Sequence, residues 1–539
     1  MAAMVPRPAA TLILLRDGVE VLMLQRTQTA AFLGGAYVFP GGSLDPQDSD
    51  PRVLRRVVGL TEAQANARLQ VSSGGLAYYV AAIRECFEES GILLSPGISA
   101  ARAASLMHWR NRPFLELLEA EDLTIPAGEL AYFGHWITAP GRSRRFNTRF
   151  FVALAPQGQR GSNDANETVQ DVWITPREAL ERAARNEIEL VNATQASLRT
   201  LCAFTDPRAA FGHARALPEI EEQRACWAQG REGAKLFRRG DAPYFEIHWS
   251  DPQETGQTSY DIVAGEPKRI DRWVTRLTAP NPGMMTGPGT NTYYLHGALI
   301  DPGPAIDSHV EKILQLGEIK WILCTHTHLD HSPAAAAIKA ATGAQVLWRP
   351  APAGQDATFR PDFVVENGQR IELEGGVTLR AIHTPGHASN HVCYLLEQTR
   401  MLFTGDHVMQ GSTVVINPPD GDMRAYLQSL ERLLGEDIAV IAPGHGYLIG
   451  APHKEVRRLI AHRLNRERKV VAALLRLEHP SLEEMLPLVY DDVPERVHRV
   501  AARSLTAHLD KLVAEGAVRL EESRYTLVRS GSLEARDDQ

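Results

Sequence analysis

Cysteine is scarce in this sequence: the five residues Cys86, Cys202, Cys226, Cys324 and Cys393 are dispersed among 539, and none forms a Cys-x-x-Cys pair. That excludes a disulfide framework and a cysteine-built zinc knuckle, and points to a reducing compartment. Positive charge is not in excess either. The net charge is −8, so no chain-wide field draws the protein to nucleic acid or anionic lipid, and only a local basic patch would do so. No apolar run reaches membrane-spanning length, and the first ten residues lack the charged-then-apolar order of a signal peptide. A cytoplasmic protein without membrane contact is expected. Internal repeats and low-complexity tracts are missing too, which excludes solenoids and fibres. What remains is an ordinary globular balance, 44% hydrophobic and 23% charged. At roughly 100–200 residues per domain, three or four units are expected.

The chain reads as α/β and multidomain. Over 1–205, short apolar strands at 10–15 and 19–24 flank the turn dipeptide Asp17-Gly18, a helical stretch over 77–90 stops at Gly91, and further strands follow near 136–138, 148–154 and 172–174. This is an α+β pattern. Residues 206–265 carry Pro, Gly and charge with weak periodicity and read as a linker or surface excursion. Over 266–455, apolar strands at 293–295, 321–324, 401–403 and 438–441 each run into a polar loop, a layered α/β pattern. Over 456–539, Ser481-Leu482-Glu483-Glu484 has the form of a capping box, apolar residues at helical spacing run from Val497 to Val513, and strand candidates at 518–520 and 525–528 follow. Helices then a small hairpin suggest a winged helix.

The strongest chemical signal is Thr325-His326-Thr327-His328-Leu329-Asp330-His331, directly after a predicted strand. Four ligand-type side chains crowd one strand-end loop, which aims His326 and His328 at one ion and Asp330 and His331 at another. Three more ligand types follow in order, each after an apolar strand and beside Gly or Pro: His387 in Thr384-Pro385-Gly386-His387, Asp406 in Thr404-Gly405-Asp406, and His445 in Pro443-Gly444-His445-Gly446. Five histidines and two aspartates suit two zinc ions, or iron or manganese in a mixed N/O site. His383 and His407 are close in sequence but read as structural or supporting residues.

This set resembles the metallo-β-lactamase superfamily, whose pattern is His-x-His-x-Asp-His, then His, Asp and His on successive strand-end loops. The resemblance covers about residues 280–450 and implies an αββα sandwich. It implies that His326, His328 and His387 bind one metal, that Asp330, His331 and His445 bind a second, and that Asp406 bridges. With Asp at the fourth motif, it is closer to the hydrolase and nuclease branches than to the cysteine-bearing β-lactamases. Two cations about 3.5–4 Å apart would acidify a shared water and polarise a carbonyl or phosphoryl oxygen. Asp330 is then the catalytic residue that orients the water or accepts its proton.

The stretch Asn281-Pro282-Gly283 to Thr292-Tyr293, the Pro-Gly-His motifs and the C-terminal tail are similar to the β-lactamase-like protein two group, which carries a winged helix and includes single-strand endoribonucleases. The short stretch 407–444 leaves no room for the large insertion of other nucleases of this fold. Over 452–477 eight basic residues stand against two acidic ones, a net charge of +6, which would suit a phosphate backbone. The first expectation is therefore cleavage of single-stranded RNA or a related phosphodiester, with nucleic-acid contact through this C-terminal basic helix. The second is hydrolysis of an acyl thioester, as in glyoxalase II, which shares the metal motifs but has a different helical tail. A nucleic-acid-binding protein with a structural metal is a third.

A second constellation is Arg84-Glu85-Cys86-Phe87-Glu88-Glu89-Ser90-Gly91-Ile92. On a helix Glu85, Glu88 and Glu89 share a face, and clustered carboxylates suit Mg²⁺ or Mn²⁺ bridging to a diphosphate. The segment resembles the latter part of the Nudix box, over about residues 8–200. The usual box has Gly and Glu at positions 70 and 76, where this chain has Gln70 and Leu76. A similarly interrupted box, and a segment like Arg144 to Ala153, occur in the peroxisomal-type coenzyme A diphosphatase branch. The resemblance implies a Nudix domain acting on a nucleoside-diphosphate-linked substrate, with Glu85, Glu88 and Glu89 as metal ligands, Glu89 also catalytic, and the later Glu167 catalytic as a base or an extra metal ligand.

Overall fold

Alternating apolar strands with glycine stops fold into two compact units in the computed structural model, which describes residues 4–27, 34–159, 161 and 168–528. The first unit is built from the described residues up to Trp227, with the short pieces 236–239 and 253–255. The second takes 228–235, 240–252 and the described residues from 256 on. The stretch 206–265 is thus divided between the units, and it is more ordered than its weak periodicity suggests. Asp206 caps a helix Pro207–Ala216 through the Arg208 N–H, with Pro207 in its first turn, and a second helix Tyr244–Ser250 buries Glu246.

The first unit is an α+β domain around one eight-stranded sheet. The strand Arg7–Arg16 lies at its middle, parallel to Phe146–Leu154 and antiparallel to Glu20–Arg26. The turn joining the first pair is Asp17–Val19, with Gly18 at φ 78°. Gly41–Ser43 pairs with Ala9–Thr11. The helix Gly75–Ser90 is almost wholly buried and ends at Gly91, φ 71°. Its Val80, Ile83 and Phe87 share a core with Leu12, Leu14 and Phe151 of the sheet.

The second unit begins with two facing sheets. One orders Pro267–Arg269, Thr275–Thr278, Asn291–Leu295, Ala298–Ile300, Trp321–Leu323 and Gln345–Leu347; the other orders Arg370–Leu373, Val377–His383, Val392–Leu396, Met401–Gly405 and Val440–Pro443. Side chains alternate faces along a strand, and the second sheet obeys this closely. Leu379, Ala381, Tyr394, Phe403 and Ala442 enter the core shared with Leu277, Leu299 and Leu323 of the first sheet. Ile382, Cys393, Leu395, Leu402 and Ile441 point the other way, toward Met423, Tyr426 and Leu430 of helix Met423–Leu433. Helices Asp307–Leu314 and Ala334–Thr342 cover the first sheet with Ile313 and Ile338. The result is the αββα sandwich.

The helix Pro452–Arg476 runs straight through the domain boundary expected at 455/456. Its first half gives Val456 and Leu459 to the sandwich, and its second half gives Val470, Ala473 and Leu474 to a separate core with Leu505, Leu509 and Val518. That core belongs to a winged helix made of Leu482–Val489, His498–Ala514 and the hairpin Val518–Glu521 with Arg524–Leu527. Among the described residues no helix is long and apolar enough to cross a membrane.

Candidate metal centre

Every ligand-type side chain singled out in the second unit sits just past the C-terminal end of a strand, where the sheet stops and a short loop turns back. Trp321–Leu323 leads to His326, His328, Asp330 and His331, Val377–His383 to His387, Met401–Gly405 to Asp406, and Val440–Pro443 to His445. Sheet pairing brings these loops to one edge. There the side chains form two groups, His326–His328–His387 and Asp330–His331–Asp406–His445, with the ligand atoms of each group within 4.8 Å of one another. Asp406 faces both, with Oδ1 3.2 Å from His445 Nε2 and Oδ2 3.8 Å from His387 Nε2.

Hydrogen bonds on the outer side of the rings fix which nitrogen faces inward. The Thr325 hydroxyl donates to Asp301 at 2.8 Å, so its oxygen accepts from His326 Nδ1 at 3.1 Å, leaving His326 Nε2 as a lone pair. His387 Nδ1 donates to the Val415 carbonyl at 2.8 Å, His331 Nδ1 to Asp301 at 2.9 Å and His445 Nδ1 to the Gly289 carbonyl at 3.2 Å. The inward atoms His326 Nε2, His331 Nε2, His445 Nε2 and Asp406 Oδ1 are buried and have no hydrogen-bond partner. Orphaned donors and acceptors of this kind are costly. The gaps between them, 3.2 to 3.5 Å from His445 and His331 to Asp406 and Asp330, match the ligand–ligand edge of a tetrahedron with bonds of about 2.0–2.1 Å. The residues fit a pair of divalent ions.

Glycine makes the approach feasible. A Cβ on Gly444 would lie 2.8 Å from His331 Cε1 and 2.9 Å from Asp406 Oδ1, so no larger residue fits between His445 and its neighbours.

The helix Gly75–Ser90 tells a different story. Glu85 and Glu88 lie on one face, and both accept from Arg84 Nη1 at 2.8 Å. Arg84 is itself held by buried Asp48 at 2.8 and 3.0 Å. Glu89 accepts from the Gly41 N–H at 2.9 Å. Among the described residues these three carboxylates do not gather about a common point, and Arg84 stands between Glu85 and Glu88. Burial, opposed by Arg84 and reinforced by Glu88, pushes Glu85 up to about 7, and burial raises Glu88 as well. As arranged, the trio does not fit a divalent ion. Glu167 lies outside the described residues.

The family model described as the Metallo-beta-lactamase superfamily matches residues 285–445, spanning both ligand groups. The Beta-lactamase-like protein 2 homolog of Drosophila melanogaster is 32% identical over 277 residues, 47% of this chain and 92% of that protein. The chain belongs to the metallo-β-lactamase superfamily. A model described as the NUDT19 Nudix domain matches 2–197, and one described as the Beta-lactamase associated winged helix domain matches 481–526. Thioesterase pkgB of Emericella nidulans is 32% identical, over 43% of this chain and 67% of that protein. An Aspergillus fumigatus protein named atrochrysone carboxyl ACP thioesterase is 34% identical, over 38% and 66%. Among solved structures, a β-lactamase domain protein from Burkholderia ambifaria is 19% identical with a TM-score of 0.43, covering 50% of this chain and 96% of that one. A NUDIX hydrolase from Alicyclobacillus acidocaldarius is 27% identical with a TM-score of 0.32, covering 39% and 96%. The protein is a metallo-β-lactamase-superfamily hydrolase with a Nudix domain and a winged helix.

Within the metallo-β-lactamase domain the two ligand groups differ in charge. Burial, with the neighbouring rings, holds His326 and His387 below the ordinary histidine range and His328 down to about 4, so this trio is neutral. In the other group burial is outweighed. Asp406 and Asp330 push His445 up to about 9, and Asp330, Asp406 and Asp301 hold His331 well above its usual value. Burial is likewise overcome at Asp330, by His331 and His445, and at Asp406, by His445 and His331, so both stay below the usual carboxylate range. His383 and His407 lie outside both groups. His407 is fully buried against Tyr426 and His391, which pushes it down to about 3, and half-buried His383 contacts the Ser389 carbonyl at 3.3 Å.

Sequence reasoning passed over Asp301, which accepts from the Thr325 N–H at 2.6 Å as well as from Thr325 Oγ1 and His331. The signal was present: Asp301-Pro302-Gly303 also follows a strand, Ala298–Ile300. His391, stacked on His326 with centroids 5.2 Å apart, was passed over too.

Proposed function

We propose that the metallo-β-lactamase domain hydrolyses an acyl thioester, with a thiol as leaving group. His326, His328 and His387 would hold one divalent ion, Asp330, His331 and His445 the other, and Asp406 both. When bound, such a pair supplies Lewis acidity and an acidified water. The chain's own contribution is orientation and proton handling. Asp301, Val415 and Gly289 keep the imidazole lone pairs turned inward. Asp330, held ionised and with its side chain 28% exposed, is the most open carboxylate of its group and the natural proton acceptor. A thiolate leaves without help from an acid, since thiols ionise near pH 8.5, which suits a cluster whose members are all spoken for as ligands.

What carries the substrate choice is the likeness to relatives named as thioesterases. The basic helix Pro452–Arg476 weighs against the RNA expectation. Arg463 and Arg466 are buried, the first donating to the Val414 carbonyl and the second pairing with Asp492 at 2.7 Å. Arg458 pairs with Glu455 and Lys469 with Asp491. Exposed cations without such a partner among the described residues reduce to Arg457, Arg468 and Arg476, a thin track for a phosphate backbone. The test is to offer the full chain, loaded with zinc or manganese, an acyl-coenzyme A, an acyl-pantetheine and a single-stranded RNA. Thioester cleavage that disappears in His328→Ala supports the proposal. RNA cleavage with a steep salt dependence, and no thioester turnover, overturns it.

A further inference from the structure

The loop that orients His387 is held in place from outside the sandwich. Residues 414–416, Val-Val-Ile, belong to no helix or strand, so their amide and carbonyl groups need partners from elsewhere. Side chains from three parts of the chain supply them. His387 Nδ1 donates to the Val415 carbonyl at 2.8 Å. Arg463, on helix Pro452–Arg476, donates from Nη2 to the Val414 carbonyl. The hydroxyl of Ser504, on helix His498–Ala514 of the winged helix, accepts from the Ile416 N–H at 3.4 Å. The carbonyl behind a metal-ligand ring thus lies between two residues that the C-terminal helices pin. Val414 and Ile416 are buried in one core with Val456 and Leu459 of the long helix and Ala507 of the winged helix.

Arg463 meets the surroundings of His387 by a second route. It is 3% exposed, and its guanidinium lies 5.4 Å from the centre of the Tyr426 ring. Tyr426 in turn backs Gly386, the residue before His387. A Cβ on Gly386 would fall 2.3 Å from Tyr426 Cα, and its φ is 145°, so only glycine lets the His387 loop pass there. The Nε of Arg463 is buried with no partner. Burying a cation for one carbonyl and one ring is costly, and an apolar side chain of the same length would fill the space. What arginine adds is a charge-assisted bond of fixed direction, roughly twice as strong as a neutral one. The acceptors behind the other rings come from the sandwich itself: Thr325 for His326, Asp301 for His331 and Gly289 for His445. Of these four rings, His387 is the one whose acceptor is held by the tail.

We propose that Arg463 and Ser504 are positioning residues of the metal centre. By fixing the Val415 carbonyl they keep the proton of His387 on Nδ1 and turn its Nε2 lone pair inward, so the winged helix completes the His326–His328–His387 group. Neither residue touches the substrate; each acts through the backbone of 414–416. The inference rests on the metal-centre reading and stands whichever ester the centre cleaves.

The test uses the full chain reconstituted with Zn²⁺ and, in a parallel arm, with Co²⁺, whose visible absorption reports ligand geometry. Each form is titrated against a graded chromophoric chelator. Arg463→Met fills a similar space and removes the donor. It should weaken one metal equivalent about tenfold or more, alter the cobalt spectrum and leave the other equivalent at parental affinity. Arg463→Lys keeps a cationic donor and should recover part of the loss. Ser504→Ala trims one hydroxyl and should weaken the same equivalent about threefold; it carries the test if Arg463→Met does not fold. Val518→Ala thins the separate core of the winged helix, which does not include 414–416, and should lower the melting temperature with both affinities unchanged. Parental affinity and spectrum in Arg463→Met and Ser504→Ala would overturn the proposal. So would an equal metal loss in Val518→Ala, which would make the effect one of stability alone. A parent that keeps no metal would overturn the metal-centre reading and this inference together.

Discussion

Asp301→Asn is the sharpest probe of how the metal centre is held. The substitution keeps shape and removes one acceptor. In the parent, Asp301 Oδ1 accepts from the Thr325 N–H at 2.6 Å, and Oδ2 accepts from Thr325 Oγ1 at 2.8 Å and His331 Nδ1 at 2.9 Å, all in a fully buried position. An amide has one oxygen for these two places. If its oxygen faces the Thr325 N–H, its NH₂ faces His331, and the ring must take the other tautomer, which turns an N–H toward Asp406 where a lone pair is needed. If the amide is reversed, its NH₂ meets the Thr325 N–H at 2.6 Å. Either way one charge-assisted hydrogen bond is lost and one buried donor stranded, about 1.5–3 kcal/mol. That corresponds to metal affinity lower by about 10–100-fold, as expected for the supporting layer of a metal site, concentrated in the group containing His331. The assay is competition with a graded chromophoric chelator, counting equivalents released, beside chemical denaturation of the metal-free protein. Retention of both equivalents at parental affinity, with parental stability, would refute the tautomer reasoning.

Other consequences can be checked the same way. Gly444→Ala inserts a methyl 2.8–2.9 Å from His331 and Asp406; thioester turnover should fall about a hundredfold or more, and a parental rate would show that this loop yields. His445 is raised from 6.5 to about 9 in the folded, metal-free protein by Asp406 and Asp330 against burial. Its stabilisation is therefore complete below about pH 6.5 and is lost as pH rises through about 9. Denaturation of chelator-stripped protein should show that decline, and a flat profile would contradict it. By the same sign, protons compete for His331 and His445 but not for the neutral trio, so acidifying the loaded protein should release one equivalent before the other, measured by metal content across pH. Reversing the exposed charges Arg457 and Arg468 to Glu should leave thioester turnover within about twofold, whereas a large loss would return the basic helix to the active surface.

The metal centre was largely legible because its information is local. His326, His328, Asp330 and His331 share one loop, and each remaining ligand announces itself as a polar residue after an apolar strand, beside a Gly or Pro that permits a tight turn. The helix Gly75–Ser90, with its Gly91 stop, and the capped helices and hairpin of the winged helix are readable for the same reason: caps, stops and periodicity are properties of neighbouring residues. The stretch 206–265 was less legible, since Tyr244–Ser250 owes its place to Glu246, which is buried against Arg276 and Lys268 at 2.6 and 2.5 Å, contacts no window of sequence contains.

By itself, then, the sequence determined which side chains can coordinate, which strands carry them and in what order the domains come. Tertiary structure alone decided how charge is spent. It seated Arg84 among Glu85 and Glu88, turned Arg463 and Arg466 of the basic helix inward, and set Asp301 behind His331. The physical reason is that a side chain's type is fixed by its codon, whereas its partners are fixed by distance in space, and the Coulomb and hydrogen-bond terms that decide its chemistry change within a few ångströms.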